Sequence, residues 1–98
     1  LDALLQLAAD AETELTVRIG ISAVIEDLAG SDTLLEYLPV LETLGTHTDP
    51  RVRADACHFL AMTNSEKAIS PLQKLAADGD PSVRNVAIDS LNELMEEL

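Results

Sequence analysis

The sequence predicts an all-α protein built from about three tandem, antiparallel pairs of helices. The segment DPRVRADACHFL at residues 49–60 recurs as DPSVRNVAIDSL at residues 80–91, with the same residue at six of the twelve positions. Apolar residues within both segments recur at three-and-four spacing, which is the period of a helix with one buried face. The only aromatic residues are Tyr37 and Phe59. A core made of Leu, Ile, Val and Ala suits close helix packing better than it suits a β-sandwich.

The repetition divides a single domain, residues 1–98, into three copies. The copies span about residues 1–30, 31–63 and 64–98. The second and third align without a gap, because LPVLETL at 38–44 overlies ISPLQKL at 69–75. The first is more diverged: LLQLAADAETELTVR at 4–18 matches PLQKLAADGDPSVR at 71–84 with a small insertion. Stacking about three such units is the minimum that buries a continuous core.

The second helix of each copy has the clearest signals. Asp49 and Asp80 are placed to cap helix N-termini, and each precedes a proline whose fixed φ suits the first helical position. In the first copy this helix is expected over about residues 15–29, ending at Gly30. The positions expected to face the core are Val17, Ile21, Val24, Ile25 and Leu28, then Val52, Ala56, Phe59, Leu60 and Thr63, then Val83, Ala87, Ser90, Leu91 and Leu94.

The first helices of the second and third copies are expected to be bent. One begins near residues 31–33 and ends at Gly45, and the other begins near Ser65. Pro39 and Pro71 occupy matching places inside them. Proline lacks a backbone donor and clashes with the preceding turn, so each should kink or delay its helix.

Two motifs therefore recur: x-Pro-x-Leu-x-x-Leu on the first helix and Asp-Pro-x-Val-Arg-x-x-Ala-x-x-x-Leu on the second. On these motifs the chain resembles the HEAT repeat in its short bacterial form, over essentially its whole length and most closely over residues 38–97. The resemblance implies a right-handed α-α superhelix, a solenoid of antiparallel helix pairs. It also implies that the first helices form the convex side and the second helices line the concave side.

The resemblance further implies a ladder of ion pairs. In HEAT repeats the arginine after the inward valine of the second helix pairs with an acid in the turn between the two helices. The arginines at this position are Arg18, Arg53 and Arg84. Asp78 stands in the matching turn before Arg84, and Glu12 can substitute for the aspartate before Arg18.

The second copy departs from this pattern. His47 occupies the position of the acid, so the expected partner of Arg53 is Asp49 or Asp78. A structural role is favoured over anion binding, because the planar donors of arginine suit carboxylates and acids lie nearby. The residues of the predicted ladder are Arg18, Arg53, Arg84, Asp49, Asp78 and Asp80.

No catalytic, cofactor or metal site is predicted. Cys57 and His58 are adjacent on a helix, where neighbouring side chains point about 100° apart and do not face each other. Cys57 should lie at the edge of the buried stripe as a small hydrophobic residue. His47 and His58 are the only imidazoles, and they lie on different elements. The spacing of zinc-binding histidines is therefore missing.

The net charge of the chain limits the classes of partner that are expected. Eighteen acidic against six basic residues give a net charge of −12. Such a chain repels phosphate backbones and anionic lipid, so neither nucleic acid nor a membrane surface is an expected partner. The acidity is interpreted either as a solubility feature or as complementary to a basic protein partner. The single cysteine predicts a reducing compartment, the cytoplasm.

The candidate interaction surface is the face of the second helices opposite the buried stripe, which the resemblance places on the concave side. Its polar residues are Glu26, Arg51, His58, Asn85, Asp89 and Asn92. Small residues between them (Ala23, Ala54 and Ala61) would let a partner helix or loop approach closely. The predicted function is a non-catalytic scaffold for protein–protein interaction. A solvated face without a partner is the alternative for this surface.

A second resemblance suggests another setting. VRIGISAVIEDL (17–28) with DPRVRADACHFLAMT (49–63) is similar to the C-terminal HEAT portion of some small bacterial thioredoxin-family proteins. It implies a recognition domain whose thioredoxin-like part lies outside this sequence, and the opening LDALL (1–5), which resembles the middle of a helix, agrees with a piece of a longer protein. Phycobilin lyases are enzymes that also contain HEAT-like repeats, but the aromatic residues that bind tetrapyrroles are absent.

Overall fold

The computed structural model describes residues 1–98 as seven α-helices and one short 3₁₀ helix, without a strand. The helices are α1 (Asp2–Ala8), α2 (Leu15–Asp27), α3 (Asp32–Glu36), α4 (Leu38–Leu44), α5 (Pro50–Met62), α6 (Ile69–Leu75) and α7 (Pro81–Glu97), with the 3₁₀ helix at Glu66–Ala68. The predicted all-α fold of stacked helix pairs is confirmed.

The helices form two layers. In one layer α5 lies between α2 and α7 and packs most extensively against α7. In the other, α1 packs on α2, α4 packs on α5, and α6 contacts both α5 and α7. Each second helix therefore lies beside the second helix of the next copy, as a stack of helical hairpins requires.

The helix starts follow from their capping residues. The carboxylate of Asp49 accepts a hydrogen bond from the backbone N–H of Arg51 at 2.8 Å. Asp80 accepts from the N–H groups of Ser82 and Val83 at 2.8 and 3.2 Å. These bonds satisfy donors that a helix cannot pair internally. The first copy lacks this signal, because Glu14 precedes α2 without a side-chain capping bond.

The expected bends in the first helices are present. The helix of the second copy is interrupted at Tyr37, which separates α3 from α4, and Pro39 lies in the first turn of α4. In the third copy the 3₁₀ helix precedes α6, which contains Pro71. The prolines thus lie near the start of a helix, where the missing N–H has no helical partner to lose.

One cluster of twenty buried apolar residues forms the core. Two of the positions predicted to face it do not: Val17 and Val24 of α2 are 41% and 39% exposed. Their counterparts in α5, Val52 and Phe59, are each 1% exposed, and α5 lies between helices of the first and third copies. Nothing stacks on the corresponding side of α2, so the prediction was wrong for these two valines.

Candidate protein-interaction surface

The six polar residues predicted on the inner face are all exposed. Glu26 lies on α2, Arg51 and His58 lie on α5, and the remaining three, Asn85, Asp89 and Asn92, lie on α7. Glu26 and Arg51 line the same groove, whereas the other four residues lie outside it. Of the small residues expected between them, Ala61 is buried in the core and contributes no surface.

The groove runs between α2 and α5 and has a volume of about 510 Å³. Its lining residues are Thr13, Leu15, Arg18, Ile19, Ser22, Ala23, Glu26, Arg51, Ala54 and Asp55. Leu15 and Ile19 are 71% and 60% exposed, more than any other large apolar residue of the chain. With Ala23 they stand one helical turn apart, so they form a continuous apolar stripe along α2.

Sequence reasoning missed Leu15 and Ile19 as site residues, because it selected only the polar side chains of the inner face. The available signal was their four-residue spacing on the side of α2 opposite Ile21 and Ile25, which are buried. Large aliphatic residues at that spacing on a polar face indicate a contact surface.

An ion pair joins the two walls of the groove. Nη1 of Arg18 on α2 donates to Oδ2 of Asp55 on α5 at 2.8 Å. The same guanidinium donates to the backbone carbonyls of Ala8 at 3.3 Å, Asp10 at 2.6 Å and Thr13 at 3.3 Å. Arg18 and its partners therefore hold α2, α5 and the turn between α1 and α2 (residues 9–14) at a fixed spacing. Glu12, the partner suggested by sequence, makes no ion pair with Arg18.

Arg51 is engaged at the rim of the groove. Its Nη2 donates to Oδ2 of Asp49 at 3.0 Å and to the carbonyl of Ala11 at 3.1 Å. The side-chain hydrogen bond from Arg51 lowers the pKa of Asp49 to about 2, so this carboxylate is ionised at neutral pH. Arg51 thus connects the turn between α1 and α2 to the start of α5. These bonds already use much of the hydrogen-bonding capacity of the Arg51 side chain.

The remaining arginines have different partners. Arg53 pairs with Asp78, one of its two expected partners, and the hydrogen bond from Arg53 lowers the pKa of that carboxyl. Arg84 does not bind the carboxylate of Asp78; its Nη1 donates to the carbonyls of Asp78 and Gly79 at 2.8 and 3.2 Å. Asp80 caps α7 and takes part in no ion pair.

The structure does not build a nucleophile–base pair from Cys57 and His58. Cys57 is fully buried rather than at the edge of the stripe, its Sγ donates to the carbonyl of Arg53 at 3.4 Å, and burial raises its pKa to about 12. His58 is exposed. Nδ1 of His47 accepts from the N–H of Asp49 at 2.9 Å, which gives it a role in the turn.

No group of three or more His, Cys, Asp or Glu side chains is placed to hold a metal ion. None of the seven helices combines the length and the apolar character that crossing a membrane requires.

A family model described as HEAT repeats matches residues 1–92, which include the first two copies and most of the third. No curated protein and no solved structure matches the chain. The match does not address a thioredoxin-like part, which stays a prediction from sequence, and it does not test the lyase alternative that the missing aromatic residues disfavour.

Proposed function

Because the chain belongs to the family of HEAT repeats, as the match over residues 1–92 shows, we propose that it is a non-catalytic protein-interaction module. The groove between α2 and α5 binds an amphipathic, basic segment of another protein. The observation that carries this proposal is the exposed pair Leu15 and Ile19 beside Glu26 in one groove. Apolar surface of this kind, rimmed by polar residues, is typical of protein contact sites.

Charge favours a basic segment. Of the six basic residues, Arg18, Arg51 and Arg53 already bind acidic side chains of the chain itself. The eighteen acidic residues are therefore largely uncompensated, and Glu26 at the groove makes no ion pair. Complementary charge accelerates encounter and selects the partner more than it adds affinity.

Shape favours a helix or an extended strand of chain as the bound segment. Ala23 and Ala54 line part of the groove with short side chains, so the backbone of a partner can approach closely there. The pair between Arg18 and Asp55 holds the walls before binding, which reduces the ordering cost on association. An apolar side chain of the partner would bury Leu15 and Ile19, and a lysine or arginine would meet Glu26.

The proposal is tested with a display library of amphipathic peptides that have basic polar faces, against a matched library with acidic polar faces. Selected peptides are titrated into the labelled protein, and amide chemical shifts locate the contact. We expect basic peptides to be enriched and the shifts to concentrate on Leu15, Ile19 and Ala23. Ile19→Glu should weaken binding about tenfold, which corresponds to about 1.4 kcal/mol.

Glu26→Lys should selectively weaken the binding of basic peptides. Val40→Glu is the matched control for Ile19→Glu. Val40 is a half-exposed aliphatic residue of α4 outside the groove, so its replacement should leave binding unchanged. The proposal fails if selected peptides shift residues of another surface, if acidic peptides are preferred, or if Ile19→Glu binds like the unmodified protein.

A further inference from the structure

The groove between α2 and α5 lies on a side of the stack that neighbouring copies leave open. Ala23, which lines the groove, has His58 as its counterpart in α5 and Asp89 as its counterpart in α7. His58 is exposed although α5 lies between α2 and α7. A further pair of helices stacked on α2 would therefore cover Val17 and Val24 and leave the groove accessible. What fills the groove is not a neighbouring repeat.

The walls of the groove do not suit two common modes of peptide binding. An extended peptide pairs its backbone with the edge of a sheet, but the structure has no strand, and both walls are helices whose interior backbone groups bond internally. A proline-rich peptide requires a groove lined by aromatic rings, and neither Tyr37 nor Phe59 lines this one. A helix satisfies its own backbone, so it needs only apolar and charged side chains from the groove.

The groove presents its anchors at the spacing of a helix. Leu15 and Ile19 are four residues apart on α2, and Glu26 follows Ile19 by seven residues. At a rise of 1.5 Å per residue, these intervals are about 6 and about 10 Å along the helix axis. A helix bound along α2 has the same rise. Two of its apolar residues, four positions apart, therefore face Leu15 and Ile19, while a cation seven positions from the nearer one faces Glu26.

The two ends of the groove differ in the hydrogen bonds that they offer. At the end near Leu15, Glu14 precedes α2 without a side-chain capping bond, so the N–H groups of the first turn of α2 are free donors. Arg51 reaches the same end, where its Nη2 binds the carbonyl of Ala11, and its Nη1 makes no hydrogen bond. At the other end, the carboxylate of Glu26 offers acceptors and makes no ion pair. One end therefore donates and the other accepts.

The direction of the two walls gives the groove a polarity of the same sign. α2 and α5 run parallel, because Arg51 at the start of α5 binds Ala11 just before α2, and Gly30 just after α2 binds the carbonyl of Met62 at the end of α5. The dipoles of parallel helices add, with the positive end at the helix starts. A third helix packed on both is favoured when it runs antiparallel to them, with its own carbonyl end at the start of α2.

We infer that the groove binds its partner as an α-helix antiparallel to α2, in which a lysine or arginine precedes two apolar residues by seven and eleven positions. This inference rests on the proposed function of the groove. The cation meets Glu26, and the two apolar residues cover Ile19 and then Leu15. The last carbonyls of the bound helix, which have no partner of their own, accept from the first turn of α2 and from Arg51.

Two isomeric peptides test the order of the anchors. The cation-first peptide carries a lysine followed by leucines seven and eleven positions later, and the reversed peptide carries the same residues in the opposite order. Both have acetylated and amidated ends, which removes terminal charges. We expect fluorescence anisotropy to show about tenfold tighter binding of the cation-first peptide. A lysine near the start of a helix disfavours the free helix, so this preference cannot come from the helicity of the free peptide.

Three further measurements test the helix and its register. Replacing a residue on the outer face of the cation-first peptide by proline should abolish binding, because a helix interior does not accommodate proline. Replacing the lysine by glutamate should weaken binding to the unmodified protein and restore it to Glu26→Lys. A spin label at the start of the peptide should broaden the amide signal of Glu26, and one at its end should broaden that of Leu15. Val40→Glu, outside the groove, should leave every affinity unchanged.

Equal or tighter binding of the reversed peptide would overturn the inference, as would a proline variant that binds like its parent or spin labels that broaden the opposite ends of the groove. In each of these cases a peptide still occupies the groove, so the proposed function stands. If neither isomer shifts the amide signals of Leu15, Ile19 and Ala23, the proposed function and the inference fall together.

Discussion

Arg53 and Asp78 join the second and third copies through two parallel hydrogen bonds, from Nε to Oδ2 at 2.9 Å and from Nη2 to Oδ1 at 3.0 Å. Both side chains are largely buried, at 18% and 12% exposure. The pair lies beside the packing of α5 on α7, the most extensive contact between helices. Paired donors of this geometry are among the stronger polar interactions in proteins.

We therefore predict that Arg53→Met lowers the free energy of unfolding by about 1–3 kcal/mol, because it leaves a shielded carboxylate without its donor. Urea denaturation followed by circular dichroism measures the change. Arg84→Met should cost less, since Arg84 holds only backbone carbonyls. Equal losses for the two variants would contradict a specific contribution from the bond to Asp78.

The same pair predicts a dependence of stability on pH. The hydrogen bond from Arg53 lowers the pKa of Asp78 in the folded protein below its ordinary value. The contribution to stability is thus complete above about pH 4 and is lost as pH falls towards the lowered pKa, because the unfolded chain binds the proton first. Asp78→Asn should flatten the decline of stability in this acidic range. Asp89→Asn, which removes a carboxylate outside any ion pair, controls for the change in net charge.

Local signals made the fold predictable. Asp49 and Asp80 cap their helices as expected, and Pro39 and Pro71 coincide with the expected bends. Each of these features depends on residues within one turn of the chain. The core-facing residues of α5 and α7 were likewise predictable, because the spacing of apolar residues depends on a single helix alone.

Contacts between copies were less predictable. Arg18 pairs with Asp55, 37 residues away, and no local rule selects that carboxylate over Glu12. The exposure of Val17 and Val24 depends on whether a neighbour stacks on α2, which the periodicity of α2 alone does not encode. Sequence therefore predicted the partner of Arg53, as one of two candidates, but not the partner of Arg18.

Ser90 is a buried polar residue without a partner. Its Oγ makes no hydrogen bond although the residue is 1% exposed, and the equivalent position in α5 is Phe59. An unpaired buried hydroxyl has lost its bonds to water without replacement, so Ser90→Ala should raise the free energy of unfolding by about 1 kcal/mol. Ser82→Ala, at an exposed serine of the same helix, measures how much of any gain comes from helix propensity alone. A loss of stability in Ser90→Ala would show that the hydroxyl has a partner after all.

Cys57 should be inert towards thiol reagents while the protein is folded. Burial, together with the charge of Asp78, raises its pKa to about 12, so the reactive thiolate is scarce as well as inaccessible at neutral pH. Labelling with an aromatic disulfide should be slow in buffer and rapid in denaturant. Because the folded pKa lies above that of the unfolded chain, this thiol also destabilises the fold as pH rises from about 8.5 towards the folded value. Cys57→Ala should remove that part of the alkaline decline, and fast labelling in buffer would contradict the assignment.

Gly30 ends the first copy in a conformation that other residues adopt poorly. Its φ is +73°, its N–H donates to the carbonyl of Met62 at 2.8 Å, and a Cβ there would lie 3.0 Å from Nδ2 of Asn64. Gly30→Ala should lower the free energy of unfolding by about 1–2 kcal/mol, the cost of a left-handed backbone for an L-residue. Gly79→Ala is the matched control, because a Cβ at Gly79 meets open space and its φ is not positive. That variant should be neutral or more stable, since alanine restricts the unfolded chain. Thermal and urea denaturation of both variants measure the difference, and equal stabilities would show that the turn at Gly30 relaxes around a side chain.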